Sequence, residues 1–236
     1  FSGICYPRRE MGTRVDDLLN ERNVALDWIR TVESEKGRVR EDDIYPRLRA
    51  WVDRAAPVEI LEIGSGQGIC SDKIGLAGRN YTGIEPSPLL LDRAMQLYPF
   101  DNRRFVSGGA YDLPLSDGAF DAAFSVAVWH LLGDLRKAAN ELSRVLKENG
   151  HFLIITANPS AYSAWTGLYT DSKLEGSRFE GTVQLPDQSV LRDILYLHSL
   201  DEIRDSLLAA HLKIQEIEDF RMKRFILIRG QKLVTV

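Results

Sequence analysis

The chain has 236 residues, with 30 Lys and Arg against 34 Asp and Glu for a net charge of −4. That length accommodates one large α/β domain with an appended piece and a core covered on both sides. The acidic balance argues against nucleic acid as a partner, the arginine-rich stretch 38–49 being the one place where an RNA contact is conceivable, and no apolar run approaches the ~20 residues that span a bilayer.

The first ten residues, FSGICYPRRE, show neither a hydrophobic h-region nor a cleavage site, so no secretion signal is expected there. Cys5 and Cys70 stand far apart without metal-ligand spacing and are read as reduced thiols of a cytoplasmic protein. The four histidines are scattered and form no zinc pattern.

Residues 1–55 read as a helical arm. Val15, Leu18, Leu19, Val24, Trp28 and Ile29 sketch an amphipathic helix that Gly37 and the charged run RVREDD interrupt. A second helix should begin near Pro46 and carry Leu48, Trp51 and Val52. From residue 56 onward strands and helices alternate. VEILEI (58–63) is a buried strand, followed by three glycines and a helix expected over 69–77; NYTGIE (80–85) is the next strand. Ser87 and Pro88 open a helix with Leu91, Ala94, Met95 and Tyr98 on one face. RRFVSG and FDAAFSVAV are the third and fourth strands. A helix over 134–147, with Gly150 beyond its end, precedes the fifth strand, HFLIIT. This order predicts a Rossmann-like α/β fold with helices on both faces of a mostly parallel sheet. Residues 157–198 break the rhythm and hold several aromatics, which predicts a functional insertion, a lid over the substrate. Ser199 and Glu202 form a capping box for a further helix, and LKIQEIEDF and RFILIRG should close the chain as an antiparallel pair.

In an open parallel sheet, ligands lie outside the carboxyl ends of the strands, where Gly64, Gly66 and Gly68 stand. Glycines there permit a tight turn and the approach of a ligand to bare backbone N–H groups. Glu85 ends the second strand, where a carboxylate can accept both hydroxyls of a ribose. The spacing is G-x-G-x-G rather than the G-x-G-x-x-G of dinucleotide sites, and Glu62 precedes it. An acid at that place suits a cationic amine better than a phosphate, which points to S-adenosylmethionine.

At this point the sequence resembles a class I S-adenosylmethionine-dependent methyltransferase of the small-molecule type. LEIGSGQG (61–68), YTGIEPSP (81–88), FVSGGAYDLPLSDGAFDAAFSVAVWHLL (105–132) and LRKAANELSRVLKENGHFLIITANP (135–159) carry the resemblance, well over about 56–159 and more loosely over 196–230. It implies a seven-stranded sheet in the order 3-2-1-4-5-7-6 with the last strand antiparallel. It also implies that Glu62, Gly64, Ser65, Gly66 and Gly68 line the methionine end, Glu85 the ribose and Pro86 the adenine face. Gly109, Ala110 and Tyr111 would meet the adenine edge, with Ser125 and Val126 beside the amino-acid part. Tyr45 or Arg40, from the arm, would reach the methionine carboxylate. Where many members have G-D-A this chain has Gly108, Gly109 and Ala110, so the acid that receives the adenine amine is missing.

Methyl transfer from a sulfonium is a direct displacement in which the protein aligns nucleophile, methyl carbon and sulfur. His130 and His198 are the candidates for proton transfer, each equally readable as a structural residue. Trp129, Tyr162, Trp165 and Tyr196 are the candidate pocket walls, aromatics being useful near a sulfonium. The expected acceptor is a small molecule attacked at O, N or C, with S-adenosylhomocysteine as product, and the expected assembly a monomer or homodimer. Two alternatives remain. One is a protein that binds the cofactor without transferring methyl, as a sensor or partner; the other is a nicotinamide dehydrogenase, against which the glycine spacing argues.

Overall fold

The structure, a computed structural model, describes residues 39–184, 190–221 and 223–234, together with Ala25, Leu26, Ile29 and Val32, which are helical. The remainder of the expected first helix, and Cys5, lie outside the described residues. A π-type turn, Arg40–Ile44, leads into α1 (Tyr45–Ala55), whose Pro46 occupies the first turn as expected. Then follow β1 (Glu59–Ile63), α2 (Cys70–Lys73), β2 (Asn80–Glu85), α3 (Pro88–Leu97), β3 (Arg103–Ser107) and β4 (Phe120–Val126). The second half contains α4 (Leu135–Val145), β5 (Leu146–Ala157), α5 (Tyr162–Thr166), β6 (Thr170–Glu175), β7 (Arg178–Gln184), β8 (Val190–Tyr196), α6 (Leu200–Ala209), β9 (Leu212–Phe220) and β10 (Phe225–Lys232).

The main sheet runs β3-β2-β1-β4-β5-β10-β9. Counting only these seven strands, that is the expected order 3-2-1-4-5-7-6. β10 runs antiparallel to β5, and the strands from β3 to β5 are parallel. Period-two alternation sorts side chains to the two faces. Leu61, Ala123, Phe152, Ile154, Ile226 and Ile228 face one core, which α4 and α6 cover. Ile60, Ala122, Phe124, Leu153, Ile155 and Leu227 face the other, covered by α1 with Leu48, Trp51 and Val52. α4 buries Leu135, Ala138, Ala139, Leu142 and Val145, the 3.6 period of its sequence, and Asp134 caps it by accepting from the Lys137 N–H at 2.9 Å. Each large apolar side chain so buried contributes roughly 1.5–3 kcal/mol.

Three local expectations are corrected. The helix after the glycines is one turn, 70–73 rather than 69–77, because Gly75 and Gly78 both take positive φ and end it. α3 buries Leu90 and Ala94 while Met95 is exposed, so its inner stripe is one position displaced. Ser87 does not cap α3 with its side chain; its N–H instead donates to Glu85 Oε1 at 2.9 Å.

The largest correction concerns 157–198. Much of it is regular: β6, β7 and β8 form a separate antiparallel three-stranded sheet. Gly176, at φ 59°, makes the tight turn between β6 and β7, and Tyr169 packs edge-on against the buried Phe179 at 5.3 Å. The Tyr169 hydroxyl donates to Asp193 Oδ2 at 2.7 Å, and burial pushes that carboxyl upward from its usual range.

Candidate functional site

The carboxyl ends of β1 and β2 hold two buried acids, Glu62 and Glu85, each 2% exposed, on either side of the glycine loop. Glu85 Oε2 accepts from the Gly66 N–H at 2.8 Å and Oε1 from the Ser87 N–H, so this carboxylate fixes both the loop and the turn into α3. Gly64 and Ser65 donate to the Ile84 carbonyl at 2.8 and 2.9 Å. Gly64, Gly66 and Gly68 all have positive φ, at 75°, 55° and 82°. A Cβ on Gly64 would overlap Val128 Cγ2, and one on Gly68 would come within 2.9 Å of the Phe105 ring. The bare backbone at Gly64 therefore admits the loop that follows β4.

Glu62 receives a short hydrogen bond from Tyr81 Oη and lies beside the buried Cys70 thiol. Burial raises its pKa to about 7, opposed by the bonds from Tyr81 and Cys70 and by the positive charge of Arg40. Burial and the neighbouring Glu62 hold the Cys70 thiol well above its usual range. Arg40, Tyr45 and Val32 from the arm close over Glu62, Gly64, Ser65, Gly66 and Val126, leaving a cavity of about 30 Å³. That is room for about one water. A larger cavity of about 400 Å³ lies beyond Tyr45, between α1 and Lys73. Of its lining charges, Lys73 pairs with Glu41 at 3.0 Å and Asp53 with Arg79, outside the cavity, at 3.4 Å, and the glycine loop is not part of its wall.

The other candidates separate into groups. Ser125, 2% exposed, has a buried Oγ without a hydrogen-bond partner among the described residues, as does Ser65. Ala110 is buried against the core, and Tyr111 accepts the Asp134 N–H at its hydroxyl, 3.2 Å away. Gly109 makes a bridge with Asp112, whose side chain is exposed, and Pro86 is partly exposed beside Glu85. Trp129 is 4% exposed and sits in the core with Leu132 and Leu135.

His130 and Thr156 meet at the ends of β4 and β5. The His130 N–H donates to Thr156 Oγ1 at 3.2 Å, and Nδ1 lies 3.0 Å from the same oxygen. Burial, with Arg40, lowers the His130 pKa to about 4, so the ring is neutral at pH 7. His198 is elsewhere: its Nε2 donates to the Leu132 carbonyl at 2.6 Å and its ring stacks on Tyr196. Tyr196 also packs where a Cβ on Gly133 would stand. These contacts tie the small sheet to the loop after β4. Trp165 donates through Nε1 to the Arg224 carbonyl at 3.2 Å and meets Phe225 edge-on, anchoring α5 to β10. Burial pushes the Tyr162 hydroxyl up to about 12.

Sequence reasoning missed the roles of Tyr81, Cys70 and Thr156. Tyr81 was readable only as a strand residue; β2 carries it opposite Ile60, two positions before Glu62's partner Gly83, from where its hydroxyl reaches the acid.

Residues 61–154 match the family described as "Methyltransferase domain". Over that stretch the chain is similar to methyltransferases, and its sheet has the Rossmann-like order described above. One relative, of Mycolicibacterium smegmatis, is described as a probable S-adenosylmethionine-dependent methyltransferase and is 30% identical over 124 residues, 52% of this chain and 46% of that protein. The positive-φ glycines, the buried acid and the unpartnered Ser65 and Ser125 hydroxyls fit S-adenosylmethionine, which has an amine and a ribose and lacks phosphate. The chain is 28% identical over 167 residues to a malonyl-[acyl-carrier protein] O-methyltransferase of Pseudescherichia vulneris, covering 69% of this chain and 65% of that protein. It is 31% identical over 102 residues to a fatty-acid O-methyltransferase of Mycolicibacterium smegmatis, covering 42% and 37%. The PH0226 protein of Pyrococcus horikoshii OT3 shares the fold, with a TM-score of 0.71 over 86% of this chain and 95% of that one at 15% identity. The chain spans less than two thirds of the length of the curated relatives it matches. Among the described residues no helix is long and apolar enough to cross a membrane.

Proposed function

We propose that this chain transfers the methyl group of S-adenosylmethionine to an oxygen, nitrogen or carbon of a small molecule by direct displacement, in the cytoplasm. The observation that carries this reading is the pair of buried acids flanking three left-handed glycines at the ends of β1 and β2. Glu62 would hold the α-ammonium group and Glu85 the ribose hydroxyls, with Pro86, Gly109, Ala110 and Tyr111 around the adenine. Ser125 and Val126 would lie beside the amino-acid part, and Arg40 and Tyr45 would meet its carboxylate. The bound group supplies an electrophilic methyl on a sulfonium; the protein supplies orientation and exclusion of water. A ligand of this size needs several hundred Å³. The cavity at the methionine end that Arg40, Tyr45 and Val32 help to line is about 30 Å³.

The small sheet β6–β8 with α5 is the reading's substrate lid, Tyr162, Trp165 and Tyr196 forming its inner wall and His198 its attachment. Calorimetric titration with S-adenosylmethionine and S-adenosylhomocysteine tests the proposal: micromolar binding supports it, and no binding at millimolar concentration ends it. A second reading, cofactor binding without transfer, is favoured by one observation. Asp112, the acid beside the adenine loop, is exposed. Turnover with a panel of acceptors separates the two.

A further inference from the structure

Glu62 lines the cavity of about 30 Å³ at the methionine end, and the groups that hold it there come from separate elements. In the parallel pairing of β1 with β2, Ile60 stands opposite Tyr81 and Glu62 opposite Gly83. Tyr81 and Glu62 thus share one face of the sheet, two positions out of step. Gly83 keeps the place beside Glu62 free of a side chain: a Cβ there would stand 2.7 Å from Ser65 Oγ and 3.0 Å from the Phe105 ring. Phe105, on β3, occupies that space and meets the Tyr81 ring edge-on, with centroids 5.7 Å apart. The phenol, 1% exposed, is held with its hydroxyl donating to Glu62 Oε2. The Cys70 thiol, on the single turn of α2, makes a second side-chain hydrogen bond to the acid.

Both of these donors are neutral. Burial, together with Glu62 itself, holds the phenol and the thiol well above their usual ranges, so neither ionises at pH 7 and neither brings a charge that cancels the carboxylate's. Arg40 acts on Glu62 as a cation and lines the same cavity; Glu85 and Tyr45 also act on Glu62. A carboxylate offers about four acceptor positions, and the phenol and the thiol take one each. Positions therefore remain for a charged donor that enters the cavity. An acid already locked in place loses no rotamer freedom when that donor arrives, and preorganisation of this kind appears as affinity.

The geometry points to Tyr81, assisted by Cys70, as a positioning residue that aims Glu62 at the α-ammonium group of the cofactor and makes the site selective for adenosyl ligands bearing a free α-amine. This rests on the methyl-transfer reading above, which gives the ammonium to Glu62 and assigns no part to Tyr81 or Cys70. Loss of the phenol hydroxyl has two effects of the same sign. It frees the carboxyl to turn, and it favours the protonated acid, which an ammonium group binds poorly. Both are confined to ligands that carry the amine.

The test is titration calorimetry of the whole chain with S-adenosylhomocysteine and with its desamino analogue, in which hydrogen replaces the α-amine and the carboxylate is kept. The wild type should prefer the amine-bearing ligand at least tenfold. Tyr81→Phe should weaken S-adenosylhomocysteine about tenfold at pH 7 and the analogue less than twofold, so that the preference collapses. The rise in S-adenosylhomocysteine affinity with pH should also move upward by about one pH unit, and carbon-13 NMR of the Glu62 carboxyl in the ligand-free protein should show the same displacement. A purely structural role would weaken both ligands alike and leave the carboxyl titration in place; that result overturns the inference. If Tyr81→Phe does not fold, Cys70→Ala and Cys70→Ser decide: the alanine should weaken S-adenosylhomocysteine several-fold and the serine, which keeps a donor, should recover it, whereas equal affinities overturn the inference. A wild-type chain that binds neither ligand defeats the methyl-transfer reading and this assignment with it. Binding of S-adenosylhomocysteine with the preference intact in Tyr81→Phe defeats only the role of Tyr81.

Discussion

The cofactor end and the acceptor end of this molecule are built in opposite ways. Most of the proposed cofactor end comes from one contiguous stretch, 59–112, in which strand, glycine loop and strand deliver Glu62, the three glycines and Glu85 within 24 residues of one another, with Arg40, Tyr45, Ser125 and Val126 added from outside it. The acceptor end is assembled from distant pieces: His130 on Thr156, His198 on Leu132 and Trp165 on Arg224, the last pair 59 residues apart. The first depends on backbone conformation and buried charge, the second on side chains joining layers. Substitutions should therefore fail differently at the two ends.

The largest expected effect is at the cofactor end. Gly64→Ala forces a side chain into a left-handed residue and against Val128, and should cost about 3–4 kcal/mol together with cofactor binding. Chemical denaturation and titration calorimetry measure both. A stable variant that still binds would show that the loop after β4 yields and that the two ends are not rigidly joined there.

The next effect is a pH dependence in which the two ends oppose each other. Glu62 is raised to about 7, so the folded state holds a proton the unfolded state has lost, and its contribution declines as pH rises from about 4.5 to 7. His130 is lowered to about 4, so the unfolded state holds the extra proton, and stability rises as pH climbs from about 4 to 6.5. Each slope amounts to roughly 3 kcal/mol over its window, and together they nearly cancel. Glu62→Gln should unmask a stability that rises with pH, and His130→Gln one that falls, in denaturant titrations between pH 4 and 8. Identical pH profiles for the two variants would refute the assignment. Because a cationic amine favours the carboxylate, affinity for S-adenosylmethionine should also increase several-fold from pH 6 to 7.5.

A smaller effect isolates the small sheet. Tyr169→Phe removes the donor to the buried Asp193 and should cost about 1–2 kcal/mol. Hydrogen exchange should show the loss in β7 and β8, with cofactor affinity unaltered. The smallest is Ser199→Ala, which removes the capping box of α6 and should cost about 1 kcal/mol by thermal unfolding, touching neither end.

The same contrast governs what was legible beforehand. Apolar runs and short links marked the strands and their mostly parallel pairing, while their order was implied only by the resemblance of the motifs to a known family. Glu62, the glycines and Glu85 were readable because turn geometry and strand ends are local properties. The second sheet was readable in part: LEGSRFEG carries a glycine turn between strand-like residues, yet its exposed β6 lacks the apolar alternation that marks a strand. The expected role of Trp129 rested on its place just after the fourth strand and that of His198 on the family resemblance, and their burial and partners come from layers that no spacing reveals.

By itself, then, the sequence determined the alternation of strands and helices, the glycine loop with its two acids and the capping box, all of which arise from interactions within a few residues or from periodicity. Only the tertiary structure decided that Tyr81 and Cys70 surround Glu62, that Val128 is what Gly64 makes room for, and that Thr156 occupies His130. Those contacts join residues 8 to 64 positions apart, and it is the packing of strand ends and layers, with its burial of charge, that brings them together.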